Sequence, residues 1–294
     1  MKCKVCGGDK IKVAYKGLIR DGGLGKYTKE EVTMWQCKSC DVIWHDVLSD
    51  TKKYYESKEY RNKLEGSSDA EIFYKFHDKE TFNKLQYTGT DCFRHKTMAD
   101  IGCGAGAFLD FLSGVCEVAI GIEPSETYRQ IMNEKGYQTY AYADEAIVDW
   151  QGKVDVVTSF DVIEHVEEPV QFLKDINMLL SKTGGAIIGT PTDAPVMRQM
   201  LGNIYEQKLL FSTQHLWVFS EKNLKMMAKE AGFEQIEVLY YQRYGLSNFI
   251  GWIKEQRAYG ELDYSFISDT MDAVWKSELS RQGLSDYIVL YLKK

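Results

Sequence analysis

The stretch KTMADIGCGAGAFLDFL, residues 96–112, decides which fold the chain is expected to adopt. Its beginning, Lys96 to Ile101, has the pattern of a strand, and Ala107 to Leu112 begins a helical pattern. Between them, the glycines at 102, 104 and 106 permit a tight turn close to other backbone. This stretch therefore predicts one strand, turn and helix unit.

The same alternation of strand and helix continues along the chain. Further strands are predicted at Val118 to Ile122, Val154 to Phe160, Gly185 to Thr190, Glu234 to Tyr241 and Tyr287 to Leu292, with helices at Tyr128 to Lys135, Pro169 to Leu180 and Glu221 to Ala231. Alternation of this kind favours a mainly parallel sheet with helices on both faces. The predicted fold class is α/β, with a Rossmann-like doubly wound sheet.

Four cysteines near the start form a doubled Cys-x-x-Cys pattern, at Cys3, Cys6, Cys37 and Cys40. Each pair suits a tight turn that points two thiolates inward, which gives the tetrahedral sulfur set of structural zinc. Redox or coincidental thiols are the alternative, and the doubled spacing disfavours it. Residues 1–48 are predicted to be a zinc ribbon.

Composition limits the location and the partners of the chain. The formal net charge is −7, with a sequence pI near 5.4, so the long-range field repels nucleic acids. No apolar run reaches the roughly 18 to 20 residues that span a bilayer, and Met1 to Cys6 lacks the apolar stretch of a signal peptide. A cytoplasmic protein without a membrane span is expected.

The order of the acidic residue and the glycines from Asp100 to Gly106 resembles the first motif of the class I S-adenosylmethionine (SAM)-dependent methyltransferases. The resemblance extends from about residue 90 onward and implies a seven-stranded, mostly parallel sheet and SAM as cofactor. Asp100 would then hold the ammonium group of SAM. Gly102, Gly104 and Gly106 would let the backbone approach its methionine end, or would only form a tight turn.

The resemblance also implies further cofactor contacts. Glu123, at the end of the second strand, would accept both ribose hydroxyls, unless it is an isolated surface residue. Asp144 matches the position that contacts the adenine amino group, with helix capping as the alternative. Phe108 and Phe160 are assigned to the same site.

Two histidines are the candidates for catalysis. The run from Phe160 to Val166 resembles the family segment beneath the transferred methyl group, so His165 lies near the chemistry or merely caps and packs. The run from Phe211 to Trp217, in a long loop over 192–217, resembles zinc-ribbon-bearing sugar methyltransferases and makes His215 the predicted base. Gln214 stands where that subgroup has a glutamate, which disfavours carbon methylation.

The remaining segments are assigned to substrate binding. Residues 49–90 are predicted to be a helical connector, in which Tyr54, Tyr55 and the catalytic candidate Tyr60 face the substrate or pack in the core. Residues 91–294 form the predicted methyltransferase domain. Its insertion over 243–284 is interpreted as a lid or a dimer surface, so that monomer and homodimer stay open.

The resemblance to sugar methyltransferases implies O-methylation of a sugar hydroxyl on a nucleotide-linked or polysaccharide precursor, with His215 as base and His165 orienting it or exchanging roles. Alternatives are a ribosomal RNA methyltransferase, a methyltransferase of a quinone-type or other small acceptor, and a SAM-binding or zinc-scaffold protein without catalysis. The predicted cofactors are SAM and one structural Zn²⁺.

Overall fold

A computed structural model describes residues 1–47, 51–57, 69–258 and 262–294. The chain forms two compact units. The first, here called the ribbon unit, combines Met1–Leu48, Gly189–Met226 and Val238–Val289. The second, the Rossmann unit, combines Ser49–Ile188, Met227–Glu237 and Leu290–Lys294. The N-terminal residues thus share a unit with two later segments, and the domain boundaries drawn from the sequence stay a prediction.

The strands form two sheets. They run over β1 Ile11–Gly17, β2 Val32–Cys37, β3 Ile43–Trp44, β4 Thr97–Ile101, β5 Val118–Ile122, β6 Gln138–Tyr140, β7 Val154–Phe160, β8 Leu180–Pro191, β9 Trp217–Val218, β10 Gln235–Tyr241 and β11 Tyr287–Lys293. The larger sheet has seven strands in the order β10-β11-β8-β7-β4-β5-β6. Strand β4 pairs in parallel with β5 and β7, and β5 with β6. The predicted Rossmann-like α/β fold is confirmed.

Helices connect the strands. They are α1 Thr51–Glu56, α2 Ala70–Thr88, α3 Ala107–Leu112, α4 Glu126–Glu134, α5 Ala143–Trp150, α6 Pro169–Leu179, α7 Pro195–Leu201, α8 Asn203–Tyr205, α9 Glu221–Glu230, α10 Leu246–Glu255 and α11 Asp269–Arg281. The predicted loop over 192–217 therefore contains helices, and α10 and α11 occupy much of the predicted insertion. Within the described residues, no helix combines the length and apolarity that crossing a membrane requires.

The Rossmann unit has its core on both faces of the central strands. Met98, Ala99 and Ile101 of β4 are buried, as is Val157 of β7, and this near-continuous burial is typical of parallel strands covered on both faces. The buried polar side chains in these strands lie near their carboxyl ends, where Asp100 and Ser159 are found. Open α/β sheets bind their ligands at that edge.

The ribbon unit has a separate four-stranded sheet in the order β1-β2-β3-β9. Strands β1 and β2 form an antiparallel pair. Strand β3 pairs with β9, with Ile43 opposite Val218 and Trp44 opposite Trp217. The last strand of the ribbon sheet is thus supplied by the chain segment that follows β8.

Candidate functional site

The glycine-rich turn after β4 requires its glycines. Gly102, Gly104 and Gly106 have φ values of 76°, 57° and 87°, in the left-handed region that glycine adopts without strain. A Cβ atom at Gly102 would also collide with the side chain of Val162. The turn can therefore bring its backbone close to a ligand at the strand edge.

Asp100 is a buried carboxylate at the end of β4. It lies opposite Thr158 of β7, whose hydroxyl donates a hydrogen bond of 2.6 Å to Asp100 Oδ1. Burial raises the pKa of Asp100 to about 6, although the ammonium group of Lys84 and the bond from Thr158 lower it and Glu123 raises it further. At neutral pH the site therefore presents a negative charge that suits a cationic ligand group.

Glu123 lies just beyond β5 and is also buried. Its Oε2 accepts the backbone N–H of Gly104 and its Oε1 that of Ser125, both at 3.0 Å. The carboxylate thereby links the glycine-rich turn to the residue that precedes α4. Removing it would leave two buried N–H groups without these partners, so the conformation of the turn depends on this side chain.

Aromatic residues line the same part of the Rossmann unit. The rings of Phe108 and Phe160 meet edge to face, with centroids 5.6 Å apart. Lys84 Nζ lies 5.2 Å from the centroid of Phe160. Phe108 and Phe160, both predicted from the sequence, thus contact each other within the Rossmann unit.

Asp144 is an exposed residue in the first turn of α5. Its Oδ1 accepts the N–H of Glu145 at 3.0 Å, whereas the N-cap position of the helix belongs to Tyr142. Asp144 is therefore not the N-cap. Its acidic side chain follows β6 and stays available to contact a ligand. Its contact with adenine remains a prediction.

His165 ends the short turn that follows β7. Its Nδ1 lies 2.9 Å from the hydroxyl of Tyr55, and its Nε2 lies 3.9 Å from Glu164 Oε1. Asp161, in the same turn, has a φ of 57°, a strained conformation for a residue with a side chain. The structure brings together His165 and one of the predicted tyrosines, while Tyr60 lies outside the described residues.

His215 lies in the ribbon unit, in a segment whose backbone is hydrogen-bonded to other strands and loops of that unit both before and after His215. Its N–H donates to Ser212 Oγ at 3.1 Å. The N–H of Arg20 donates to the carbonyl of Phe211, and the N–H of Thr213 donates to the carbonyl of Arg20. With the β3–β9 pair on the other side, these bonds fix the backbone that carries the predicted base.

His45 is a residue that the sequence reasoning missed. It is buried, with Nε2 3.1 Å from the carbonyl oxygen of Ser212 and Nδ1 2.7 Å from that of Asp46. Burial lowers its pKa, although these carbonyl contacts act in the opposite direction. A single histidine after a short strand carries no sequence signal, so only the structure connects it with the His215 segment.

The four predicted metal ligands lie together at one end of the ribbon sheet. Cys3 Sγ is 3.6 Å from Cys40 Sγ, and Cys6 Sγ is 3.5 Å from Cys37 Sγ. A tetrahedral site with Zn–S bonds of about 2.3 Å places its sulfurs roughly 3.8 Å apart, so the cluster has the dimensions of a structural zinc site.

Both Cys-x-x-Cys turns have the same backbone form. The N–H of Gly7 donates to Cys3 O and that of Asp41 donates to Cys37 O, and Gly7 and Asp41 have φ values of 69° and 66°. Burial raises the pKa of Cys37, but N–H groups of Cys40 and Ser39 and neighbouring thiols bring it down to about 7. At Cys37 these N–H groups stabilise the thiolate, which is the form that binds metal, whereas burial raises the pKa of Cys3 and Cys40.

Comparison with known proteins assigns the chain to a family. The profile of a family described as methyltransferase domain matches residues 73–238, which include the glycine-rich turn, Glu123 and His165. The chain belongs to this methyltransferase domain family. The resemblance to class I SAM-dependent methyltransferases is confirmed at this level, and the methyltransferase domain carries all the predicted cofactor residues.

Individual relatives of this methyltransferase domain cover only part of the chain. A ubiquinone biosynthesis O-methyltransferase of Thiobacillus denitrificans is 28% identical over 49% of this chain and 66% of its own length. Another, of Methylococcus capsulatus, is 31% identical over 38% of this chain and 49% of its own length. The chain thus spans less than two thirds of the length of each of these two curated relatives.

A solved structure of a SAM-dependent methyltransferase from Archaeoglobus fulgidus shares the fold. It superposes with a TM-score of 0.50 and 18% identity, covering 80% of this chain and 98% of its own. At that identity the likeness shows the fold alone. The sugar subgroup and the roles of individual residues remain predictions.

Proposed function

We propose that the chain transfers the methyl group of SAM to an oxygen atom of a small acceptor. The observation that carries this proposal is the arrangement of Asp100, the glycine-rich turn and Glu123 at the carboxyl edge of β4 and β5. SAM, when bound, supplies a methyl group on a positively charged sulfur. Asp100 would hold its ammonium group and Glu123 its ribose, with Asp144 reaching the adenine.

The acceptor that we favour is a quinone-type compound with a phenolic hydroxyl. The names of the Thiobacillus denitrificans and Methylococcus capsulatus relatives support it. The sugar hydroxyl predicted from the sequence is the competing acceptor, supported by the resemblance of the Phe211 to Trp217 segment. The net charge of −7 disfavours RNA.

The proton of the acceptor hydroxyl would pass to a histidine. As the oxygen forms its bond to the methyl carbon, the carbon–sulfur bond breaks and its electrons remain on sulfur. His215 is the predicted base, and His165, held by Tyr55 at 2.9 Å, is the second candidate. A general base of this kind contributes about 10²- to 10⁴-fold to the rate.

The cysteine cluster would bind a structural zinc ion. Cys3, Cys6, Cys37 and Cys40 supply four sulfurs at suitable distances, which leaves no coordination position for a substrate. The ion would stabilise the small ribbon sheet, whose strands β3 and β9 have two residues each. No step of the methyl transfer passes through it.

The test is release of S-adenosylhomocysteine from SAM with 4-methylcatechol, methoxyhydroquinone and uridine diphosphate glucose, with the product mass recorded for each. We expect turnover with the phenols. Turnover with the sugar nucleotide alone would replace the favoured acceptor by the predicted sugar. If protein shown to bind SAM releases no S-adenosylhomocysteine with any of these acceptors, phenol and nucleotide-sugar methylation are contradicted. That result would favour binding without catalysis.

The base is tested by the variants His215→Ala and His165→Ala, with His77→Gln as the control on α2. The variant that removes the base should lose about 10²- to 10⁴-fold in kcat while SAM affinity stays unchanged. Unchanged turnover in both variants would overturn the assignment of a histidine base.

A further inference from the structure

The ribbon unit contains a cleft that none of the predicted residue roles uses. It has a volume of about 230 Å³ and is lined by residues from all three segments of the unit, among them Arg20, Val196, Phe249 and Trp275. Ligand pockets commonly measure about 300–1,000 Å³, so this one has room for a single ring rather than a nucleotide.

Aromatic side chains form part of the wall of the cleft. Phe249 and Trp275 pack with ring centroids 4.9 Å apart, and Tyr205 and Trp252 with centroids 5.4 Å apart. Burial raises the pKa of Tyr205, so its phenol stays neutral at physiological pH. Two pairs of aromatic rings therefore contribute to the wall, a setting that favours a planar molecule.

The charged and amide groups of the wall already have partners in the protein. Asp286 accepts the N–H groups of Arg243 and Tyr244 and an amide N–H of Gln242. Gln242 in turn accepts the N–H of Asp286, and Arg20 donates to Gly22 O at 2.5 Å. A sugar, which is recognised through hydrogen bonds to its hydroxyls, would have to break these contacts.

Trp275 supplies a different kind of group. In the described part of the chain, its buried indole N–H makes no hydrogen bond. A buried donor without a partner is unfavourable, and a ligand oxygen that accepts from it would relieve that penalty. The cleft therefore suits a planar ring that carries an oxygen acceptor and no net charge.

We propose that this cleft binds a neutral phenol or quinone ring. The aromatic pairs hold the ring, and the indole N–H of Trp275 donates to one of its oxygens.

Binding is measured by calorimetry on the full chain without SAM, with 4-methylcatechol and uridine diphosphate glucose as probes. Val196→Phe, which adds a ring to the wall, should weaken 4-methylcatechol binding at least tenfold. Its control is Val148→Phe, at an exposed position of the Rossmann unit.

Trp275→Phe, which keeps a ring and removes the donor, should weaken binding about 2- to 10-fold. Its control is Trp35→Phe, whose indole N–H also makes no hydrogen bond in the described residues.

The outcomes separate the site from the activity. Three outcomes would overturn the site. They are phenol binding that neither Val196→Phe nor Trp275→Phe weakens, no binding of the phenol, and tighter binding of the sugar nucleotide in this cleft. Binding of the phenol that both variants weaken would support the site, with or without methyl transfer to any acceptor.

Discussion

The two units of the chain build their candidate sites in opposite ways. In the Rossmann unit, Asp100, Glu123 and His165 each lie at or beyond the carboxyl end of a strand of one alternating pattern, within a continuous part of the chain. In the ribbon unit, the sheet and the cleft combine three segments that are far apart in sequence. The first kind of site can be inferred from local pattern, whereas the second depends on long-range pairing.

The units also differ in what stabilises them. The Rossmann unit buries apolar residues such as Ile101 and Val157 in its central strands. The ribbon unit contains a sheet whose β3–β9 pair is only two residues long, next to four clustered cysteines. We therefore expect metal removal to affect the ribbon unit and to leave cofactor binding unchanged, which the following experiments test.

Cys40→Ser should have the largest effect. Structural zinc contributes about 10–16 kcal/mol to the folding of small zinc modules, so loss of one ligand should abolish zinc binding and unfold the ribbon unit. We expect no zinc by elemental analysis and no methyl transfer, with the SAM affinity preserved in calorimetry. Cys116→Ser, a thiol of the Rossmann unit, is the control. Loss of SAM binding in Cys40→Ser would contradict the independence of the two units.

Glu123→Ala should impair the other unit. Hydrogen bonds to a charged group contribute about 1.5–3 kcal/mol, so the Kd for SAM should rise about 10- to 100-fold as the glycine-rich turn loses its acceptor. The zinc content should not change. Glu126→Ala, at the exposed position that begins α4, should behave like the unaltered protein. An unchanged Kd would remove Glu123 from the cofactor site.

The pH dependence of SAM binding should reflect Asp100. Because the pKa of this carboxyl is raised to about 6, it is mostly protonated at pH 5 in the cofactor-free protein and mostly ionised at pH 7.5. The charged form is the one that holds an ammonium group, so affinity should be about tenfold lower at pH 5. Asp100→Asn should bind weakly at both pH values. A titration curve unaffected by this variant would assign the pH dependence to another group.

Asn223→Ala should have the smallest effect, confined to the ribbon unit. Its amide donates to Cys40 O at 3.2 Å and to Ser220 Oγ, and its oxygen accepts the N–H of Ser220. We expect a loss of about 1 kcal/mol in the free energy of unfolding, measured by denaturant titration with zinc bound. Lys222→Ala, which removes only an exposed ion pair with Asp41, should cause no measurable change. Equal effects of both variants would argue against the role of the buried amide.

Much of the Rossmann unit could be predicted because its signals are local. The strands Val118–Ile122 and Val154–Phe160 were predicted with the bounds that the structure has, since runs of apolar residues bounded by turns identify buried strands. The glycines after β4 were predicted because few other residues adopt their conformation. By contrast, three tyrosines were candidates for substrate contact, and only the structure shows that Tyr55 reaches His165.

The amino-acid sequence by itself determined the α/β alternation, the glycine-rich turn and the four cysteines, because each depends on residue spacing within a short stretch. Only the tertiary structure decided that β3 pairs with β9 and that His45 contacts the carbonyl of Ser212. It also decided that residues as distant in sequence as Arg20 and Asp286 line one cleft. Pairing between distant segments depends on how side chains pack once the chain is folded, which local propensity and periodicity do not encode.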